Sequence, residues 1–405
     1  MPTGSKSVFL CLAVCLPGSI ASAQRTLTLP EALARAREQA PQIVSARLAI
    51  DEARGRLSSA STRFSSNPEI DGGAGRREGP GSHFTDYEFG IRQGFGPPGG
   101  RDARIAAANA SVAAGTANAD EVTRGVLRDT AGAFYRAVYA NEQLRLVAMA
   151  QDFAAGIYTA AERRFKAGDI AVLDVNIARA MLARVRAHRE ATEATKALAL
   201  GELKQLLRLD QAIEVSGSLA PEPGPDLETA LRGVSERPEF RSLQAGIDEA
   251  EAEVRLGESL RKPEFGFGAR YTKEAEDKIL FGSLTITLPV FSKGQGERAA
   301  GSARALRLRA ELETARLGAR IEVRAAFEAF ERRVAAVRVL ETDALSGMDE
   351  NDRLTTRSFE SGQVGLPDLL VIRREILETR LLYLDTLLEA SLAKVELDIQ
   401  SGVLR

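Results

Sequence analysis

The sequence predicts a mainly α-helical chain with a small β part, built from a unit written twice: helix, β-hairpin, very long helix, turn, helix. Three observations carry this. Residues 164–175 (RFKAGDIAVLDV) return as 358–369 (SFESGQVGLPDL), with Phe165, Gly168, Ile170 and Asp174 matching Phe359, Gly362, Val364 and Asp368. Other anchors repeat in the same order at nearly the same offset: Ile50-Asp51-Glu52-Ala53 with Ile247-Asp248-Glu249-Ala250, Pro41 with Pro238, Pro68-Glu69 with Pro263-Glu264, and Gly99 with Gly294. Collinear anchors mean an internal duplication. The third observation is two proline-free stretches, between Pro98 and Pro221 and between Pro289 and Pro367.

Inside those stretches residues 101–166 and 297–360 are rich in Ala, Leu, Arg and Glu, strong helix formers, and each is expected as one long helix. Phe330, Val334, Val337, Leu340 and Ala344 recur at spacings of three and four, as do Leu377, Leu381, Leu384, Leu388, Leu392 and Val395. These are narrow seams of coiled-coil type. Some 60 residues at 1.5 Å each make a rod of about 90 Å.

The strand pairs have period two. Tyr87, Phe89, Ile91 and Phe95 alternate in the first half; Phe265, Phe267, Ala269 and Tyr271, then Leu284, Ile286, Leu288 and Val290, alternate in the second. This places hairpins at about 66–97 and 262–291. Each run has the length of a tilted strand crossing a bilayer. Ten of the 22 aromatics fall in residues 64–95 and 265–291, about a seventh of the chain, which favours an interfacial girdle. Alternation alone leaves two readings open, membrane strands and soluble edge hairpins, and the latter is the more ordinary.

The halves are expected at residues 24–208 and 238–405. Residues 209–237, with their Pro, Gly and Ser, read as a linker holding a short helix near 225–234. Residues 1–23 read as an export signal: Lys6, an apolar run Val8–Leu16, and Ala21-Ser22-Ala23 before Gln24. Both cysteines, Cys11 and Cys15, lie inside it, so the exported chain would carry no disulfide. Lipidation at Cys15 is not expected, because Val14 is bulky where an acylation site wants a small residue.

Without residues 1–23 the chain has 53 basic against 56 acidic residues and no basic run, which argues against nucleic acid as a partner. Its two histidines, His83 and His188, are far apart, and no Ser/His/Asp arrangement or metal-ligand spacing stands out. No enzyme activity, cofactor or fixed metal site is expected. Gly94–Gly100 is glycine-rich before a helix, but Arg101-Asp102 stands where a phosphate loop wants Lys and Ser/Thr.

Beyond the signal no run of 18 apolar residues exists, so any membrane crossing must use strands. Strands cross hydrocarbon only as closed barrels, the smallest of about eight strands, and this chain offers four. Three copies would pool twelve strands and twelve helical rods. A soluble periplasmic coiled-coil adaptor or scaffold is the competing reading.

The signal, the duplicated unit and the paired F-x-x-G-x-[IV]-x-x-x-D turns resemble the TolC-type outer-membrane efflux proteins over residues 27–402. Leu288-Pro289-Val290-Phe291-Ser292-Lys293-Gly294-Gln295-Gly296-Glu297 is similar to the branch serving heavy-metal efflux. The resemblance implies a homotrimer: a 12-stranded β-barrel in the outer membrane of a Gram-negative bacterium, standing on a 12-helix α-barrel in the periplasm. It implies a passive channel fed by an inner-membrane pump through a periplasmic adaptor protein. By position, it implies adaptor-docking tips at Phe165, Gly168, Asp169, Phe359, Gly362 and Gln363. A constriction would form at Asp174, Asp368, Val364 and Val371. Val364 and Val371 stand where some members carry charged gate residues, so a gate closed by salt bridges is not expected here.

As helix-cap chemistry, the same turns need Gly168 and Gly362 in the left-handed region, Phe165 and Phe359 packed back across the turn, and Asp174 and Asp368 near helix N-termini.

Overall fold

The structure, a computed structural model, describes residues 25–64, 66–79 and 81–404; the expected export signal lies outside them. Strand β1 (Arg25–Leu27) leads into helices α1 (Leu29–Gln39) and α2 (Pro41–Ala60), then the hairpin β2 (Glu69–Gly79) and β3 (Ser82–Phe95). The antiparallel rods α3 (Gly100–Ala167) and α4 (Val172–Leu207) follow. After the short strand β4 (Ile213–Val215) and helix α5 (Leu227–Gly233), the order recurs: α6 (Pro238–Ser259), hairpin β5 (Glu264–Glu274) and β6 (Asp277–Thr287), α7 (Gln295–Val339), α8 (Met348–Glu360) and α9 (Leu366–Gln400). The repetition reaches the backbone angles. Gly99 and Gly294 start α3 and α7 with positive φ, Gly168 and Gly362 follow α3 and α8 so, and Arg208 and Gly402 follow α4 and α9 so.

The 68 residues of α3 make a rod of about 100 Å. Its buried face is largely alanine (Ala117, Ala131, Ala133, Ala137, Ala140, Ala154, Ala161), which lets neighbouring helices approach closely. Helix α3 packs between α4 and α9, and α9 packs on α7, so the four rods run in the order α4–α3–α9–α7. The expected α7/α9 seam forms: Phe330 shares a buried cluster with Leu397, and Val337 shares one with Leu384, Leu387 and Ala390.

One expectation fails. Residues 297–360 are not a single helix: Leu340–Leu345 form a π-helical turn, and the chain breaks at Ser346, with Gly347 at φ 87° before α8 begins. Composition pointed to continuous helix because Leu340 and Ala344 extend the seam; a Ser-Gly pair supplies the break that propensity averaging hides. The last strand is also shorter than expected, ending at Thr287, so Leu288 and Val290 lie beyond it.

A belt between sheet and rod tips ties the halves together. Strands β1 and β4 pair in parallel. The linker lies so close over the rods that a Cβ on Gly217 would meet the Phe134 ring at 3.0 Å, and one on Gly224 would meet Phe330 at 2.7 Å. Arg237, 2% exposed, donates from Nη2 to the Gln400 carbonyl (3.0 Å) and from Nη1 to Glu322 (2.9 Å), joining linker, α7 and α9.

The four long strands form one antiparallel sheet in the order β2-β3-β5-β6. Its register gives two unlike faces. One carries Ile70, Tyr87, Phe89, Ile91, Phe95, Phe265, Phe267, Leu280, Leu284 and Ile286, all exposed. The other carries crossed ion pairs: Arg92 with Glu69 (2.5 Å), Arg270 with Asp71 (3.0 Å) and Glu88 (3.1 Å), Arg77 with Asp86 (2.8 Å) and Glu274 (3.0 Å). Phe84, Ile279 and Phe281 are apolar exceptions on that face. The Arg270–Asp71 bridge reaches from β5 to β2 over the strand between them. It can do so because Gly90 lies beneath: a Cβ there would sit 2.7 Å from Asp71 Oδ1.

Candidate functional site at the helical tips

The two repeated turns meet at one end of the rods. At the first, the Gly168 N–H donates to the Phe165 carbonyl (3.0 Å) and the Asp169 N–H to the Arg164 carbonyl (2.9 Å). At the second, Gly362 donates to Phe359 (3.1 Å) and Gln363 to Ser358 (2.8 Å). With φ of 86° and 75° at the glycines, both are the same left-handed helix cap. Any other residue there would strain the backbone, whatever the free space around it.

Asp174 and Asp368 occupy the same third helical position of α4 and α9. Both carboxylates stand beside unpaired N–H groups of a first turn, where the helix dipole favours negative charge. Neither makes an ion pair or accepts a hydrogen bond among the described residues. Asp174 is half-buried and Asp368 exposed.

Between the tips lies a cavity of about 290 Å³ lined by Ile157, Ala161, Arg164, Ile170, Asp174, Phe359, Gly362, Val364 and Pro367. Leu369, fully buried, packs beneath it with Ile157, Ala161, Val175 and Ala178. The Arg164 guanidinium sits 6.0 Å from the Phe359 ring centre, bridging first turn to second. The two phenylalanines therefore differ. Phe359 packs back across its turn as expected, whereas Phe165 is 44% exposed and does not.

The four residues expected at a constriction are divided by the fold. Asp174 and Val364 line the cavity between the tips. Asp368 faces solvent, and Val371, 56% exposed, lines a longer apolar groove of about 730 Å³ with Phe153, Met181 and Leu377. Of the remaining tip residues, Gly168, Asp169 and Gln363 are exposed, and Gly362 touches both solvent and cavity.

Behind the second tip stands a group the sequence did not single out. Arg373 of α9 donates to Asp352 (2.7 Å) and Thr356 (2.6 Å) of α8, and its guanidinium lies 3.9 Å from the Phe153 ring centre of α3. Burial draws its pKa down from the ordinary arginine value, while Asp352 opposes that shift. Arg380 adds a bridge to Asp349 at 2.5 Å. The visible signal was weak: DENDR before the turn and IRR after it are ordinary charges for an exposed helix.

Among the described residues no helix is long and apolar enough to cross a membrane. The sheet has one face apolar across its middle, with Arg76, Glu78, Lys273 and Lys278 only near the hairpin ends, and one ion-paired face; it stands at one end of long rods, and matched turns close the other end. That combination defines the class of protein that spans an outer membrane with strands and a periplasm with helices. A family model described as Outer membrane efflux protein matches residues 32–207 and 234–402, and the chain belongs to this family. It is an outer-membrane efflux channel, a conduit rather than an enzyme. It is 26% identical over 309 residues to the cobalt-zinc-cadmium resistance protein CzcC of Cupriavidus metallidurans, covering 74% of this chain and 73% of that one. It is 30% identical over 208 residues to protein CyaE of Bordetella pertussis, covering 48% and 44%. Among solved structures, the fold is similar to the CmeC outer membrane channel of Campylobacter jejuni (TM-score 0.78, 16% identity, 92% of this chain and 85% of that one). It is equally similar to a membrane protein from Pseudomonas aeruginosa (TM-score 0.78, 18% identity, 92% and 93%).

Proposed function

We propose that three copies of this chain close into one channel, twelve strands in the outer membrane above twelve helical rods in the periplasm. Substrate then passes from an inner-membrane pump through a periplasmic adaptor docked at the tips. The observation that carries this is the sheet. An exposed apolar face of this extent is incompatible with a lone soluble hairpin pair, and hydrocarbon tolerates no unpaired strand edge. Edges β2 and β6 have no partner among the described residues. Rods α4 and α7 likewise end the helical order, with Leu198 on one, and Leu306, Leu317 and Ile321 on the other, exposed along their lengths. Joining edge to unlike edge is a head-to-tail contact, which closes as a ring.

In this reading residues 1–23 are the removed export signal, 24–208 and 238–405 are the two repeats, and 209–237 is the equatorial linker. The exposed tip residues Phe165, Gly168, Asp169, Gly362 and Gln363, with Phe359 behind them, receive the adaptor. Asp174, Asp368, Val364 and Val371 line the narrow end. The cargo is a heavy-metal cation. Its support is the likeness to a cobalt-zinc-cadmium resistance protein, together with the excess of carboxylates over arginines on the ion-paired face of the sheet. A cargo cation needs no fixed ligand set, because tight binding would impede transit. The family match sets aside the soluble adaptor or scaffold.

The test is disulfide trapping in outer-membrane fractions. Described residues contain no cysteine, so Gly73→Cys on β2 is paired in turn with Ser283→Cys, Thr285→Cys and Thr287→Cys on β6. One pairing is expected to give a covalent trimer on oxidation. Monomer from every pairing, or recovery of the protein without detergent, contradicts the proposal.

A further inference from the structure

The two faces of the sheet treat their cations differently. On the ion-paired face Arg77, Arg92 and Arg270 each bridge to a carboxylate. On the apolar face, Lys273 of β5 stands directly opposite Lys278 of β6 in the antiparallel register. Neither lysine makes an ion pair among the described residues. Lys273 Nζ lies 5.6 Å from the Tyr87 ring centre. Glu78, the carboxylate on this face near the hairpin ends, is held by Arg76 at 3.3 Å. Directly opposed residues bring their Cβ atoms within about 5.5 Å, and like charges so placed destabilise the pair. An anion between the two ammonium groups would relieve that repulsion.

Position identifies the anion. The lysines lie at the hairpin ends, away from the helices, one step beyond Tyr271 and Leu280. From the Phe95 row to the Tyr87 row is eight residues, about 27 Å along the strand, or roughly 20 Å of depth at a usual barrel tilt. Phe64, Phe95 and Phe267 stack edge to face at the helix end of this band, and Tyr87 and Tyr271 pair at the other. Aromatics at both borders mark the two membrane–water interfaces. The lysines therefore sit at headgroup height in the outer leaflet, above an apolar surface able to hold acyl chains.

We infer that Lys273 and Lys278 bind the phosphate of a phosphorylated glycolipid headgroup in the outer leaflet, with Leu280, Phe89 and Tyr271 against its chains. This rests on the reading of the sheet as membrane-spanning. Native mass spectrometry of the full-length protein in detergent provides the test. The protein is titrated with diphosphorylated lipid A, with its dephosphorylated form, and with inorganic phosphate. At about a five- to sixfold effect per basic group near an anionic surface, dephosphorylated lipid and the Lys273→Gln/Lys278→Gln protein should each bind about 30-fold more weakly. Lys273→Arg/Lys278→Arg should bind as the native protein does. Equal binding of the two lipids, unchanged binding by the glutamine variant, or saturation by inorganic phosphate alone overturns the inference. Protein recovered without detergent would instead overturn the membrane reading beneath it.

Discussion

The first helical hairpin and the second end in the same turn but are built with different stiffness behind it. Helix α3 runs 68 residues without interruption into Gly168. In the second half α7 stops at Val339, a π-helical turn and Ser346-Gly347 intervene, and α8 brings only 13 residues to the tip. The last three turns of α3 bury Ile157 and Ala161, whereas α8 has no buried residue among those described. Apart from Phe359 at its end, polar groups hold α8 in place, through Asp352 and Thr356 to Arg373 and through Asp349 to Arg380. Duplication thus preserved the chemistry of the cap and not the means of seating the helix that carries it. Apolar packing is non-directional, while an ion pair depends on both partners, so the second tip rests on far fewer groups.

The largest expected effect follows from removing one of them. Arg373→Ala loses the Asp352 bridge and the stacking on Phe153, leaving a largely buried carboxylate without its partner, at a cost of about 2–3 kcal/mol. Hydrogen exchange should quicken through residues 348–360 while residues 116–129 of α3 keep their protection. Equal loss in both regions would mean that the two hairpins are one cooperative unit with no difference in how their tips are seated.

A smaller effect belongs to the π-helical turn. The Tyr383 hydroxyl donates to Glu341 at 2.6 Å, tying that turn to α9. Burial first, then Glu341, pushes the Tyr383 pKa from 10 up to about 12. The neutral phenol is favoured in the folded chain, so its stabilisation is complete below pH 10 and is lost as pH rises from 10 towards 12. Tyr383→Phe should lower stability by about 1 kcal/mol at neutral pH and flatten the fall in thermal midpoint across that window. A fall of unchanged steepness in the variant would assign the alkaline loss to other groups.

Much of this was readable in the sequence, for identifiable reasons. The duplication is visible because Gly168 and Gly362 need a conformation that side chains resist, so turn wording survives where helix wording drifts. The amphipathic sheet is visible because strand period places Phe265, Phe267 and Tyr271 on one face. The break at Ser346-Gly347 was not, because Leu340 and Ala344 keep the helical spacing up to it. The different fates of Phe165 and Phe359 were also hidden. They turn on Arg164, whose counterpart in the second copy is Ser358, and only the fold shows that Arg164 crosses to the other turn. Arg373 was missed because its partners lie 17 and 21 residues away and nothing but packing joins them.

The smallest effect on stability falls at Asp174 and Asp368, where loss of the dipole interaction costs about 0.3–1 kcal/mol each. Their conversion is nonetheless the most direct measurement of the central claim, that the two matched tips form the narrow end of a conducting ring. In planar bilayers, Asp174→Asn/Asp368→Asn protein is expected to conduct with reduced preference for cations over anions and an altered single-channel conductance. Conductance and cation preference identical to the native channel would contradict the account, leaving the repeated aspartates as helix caps and the narrow end elsewhere.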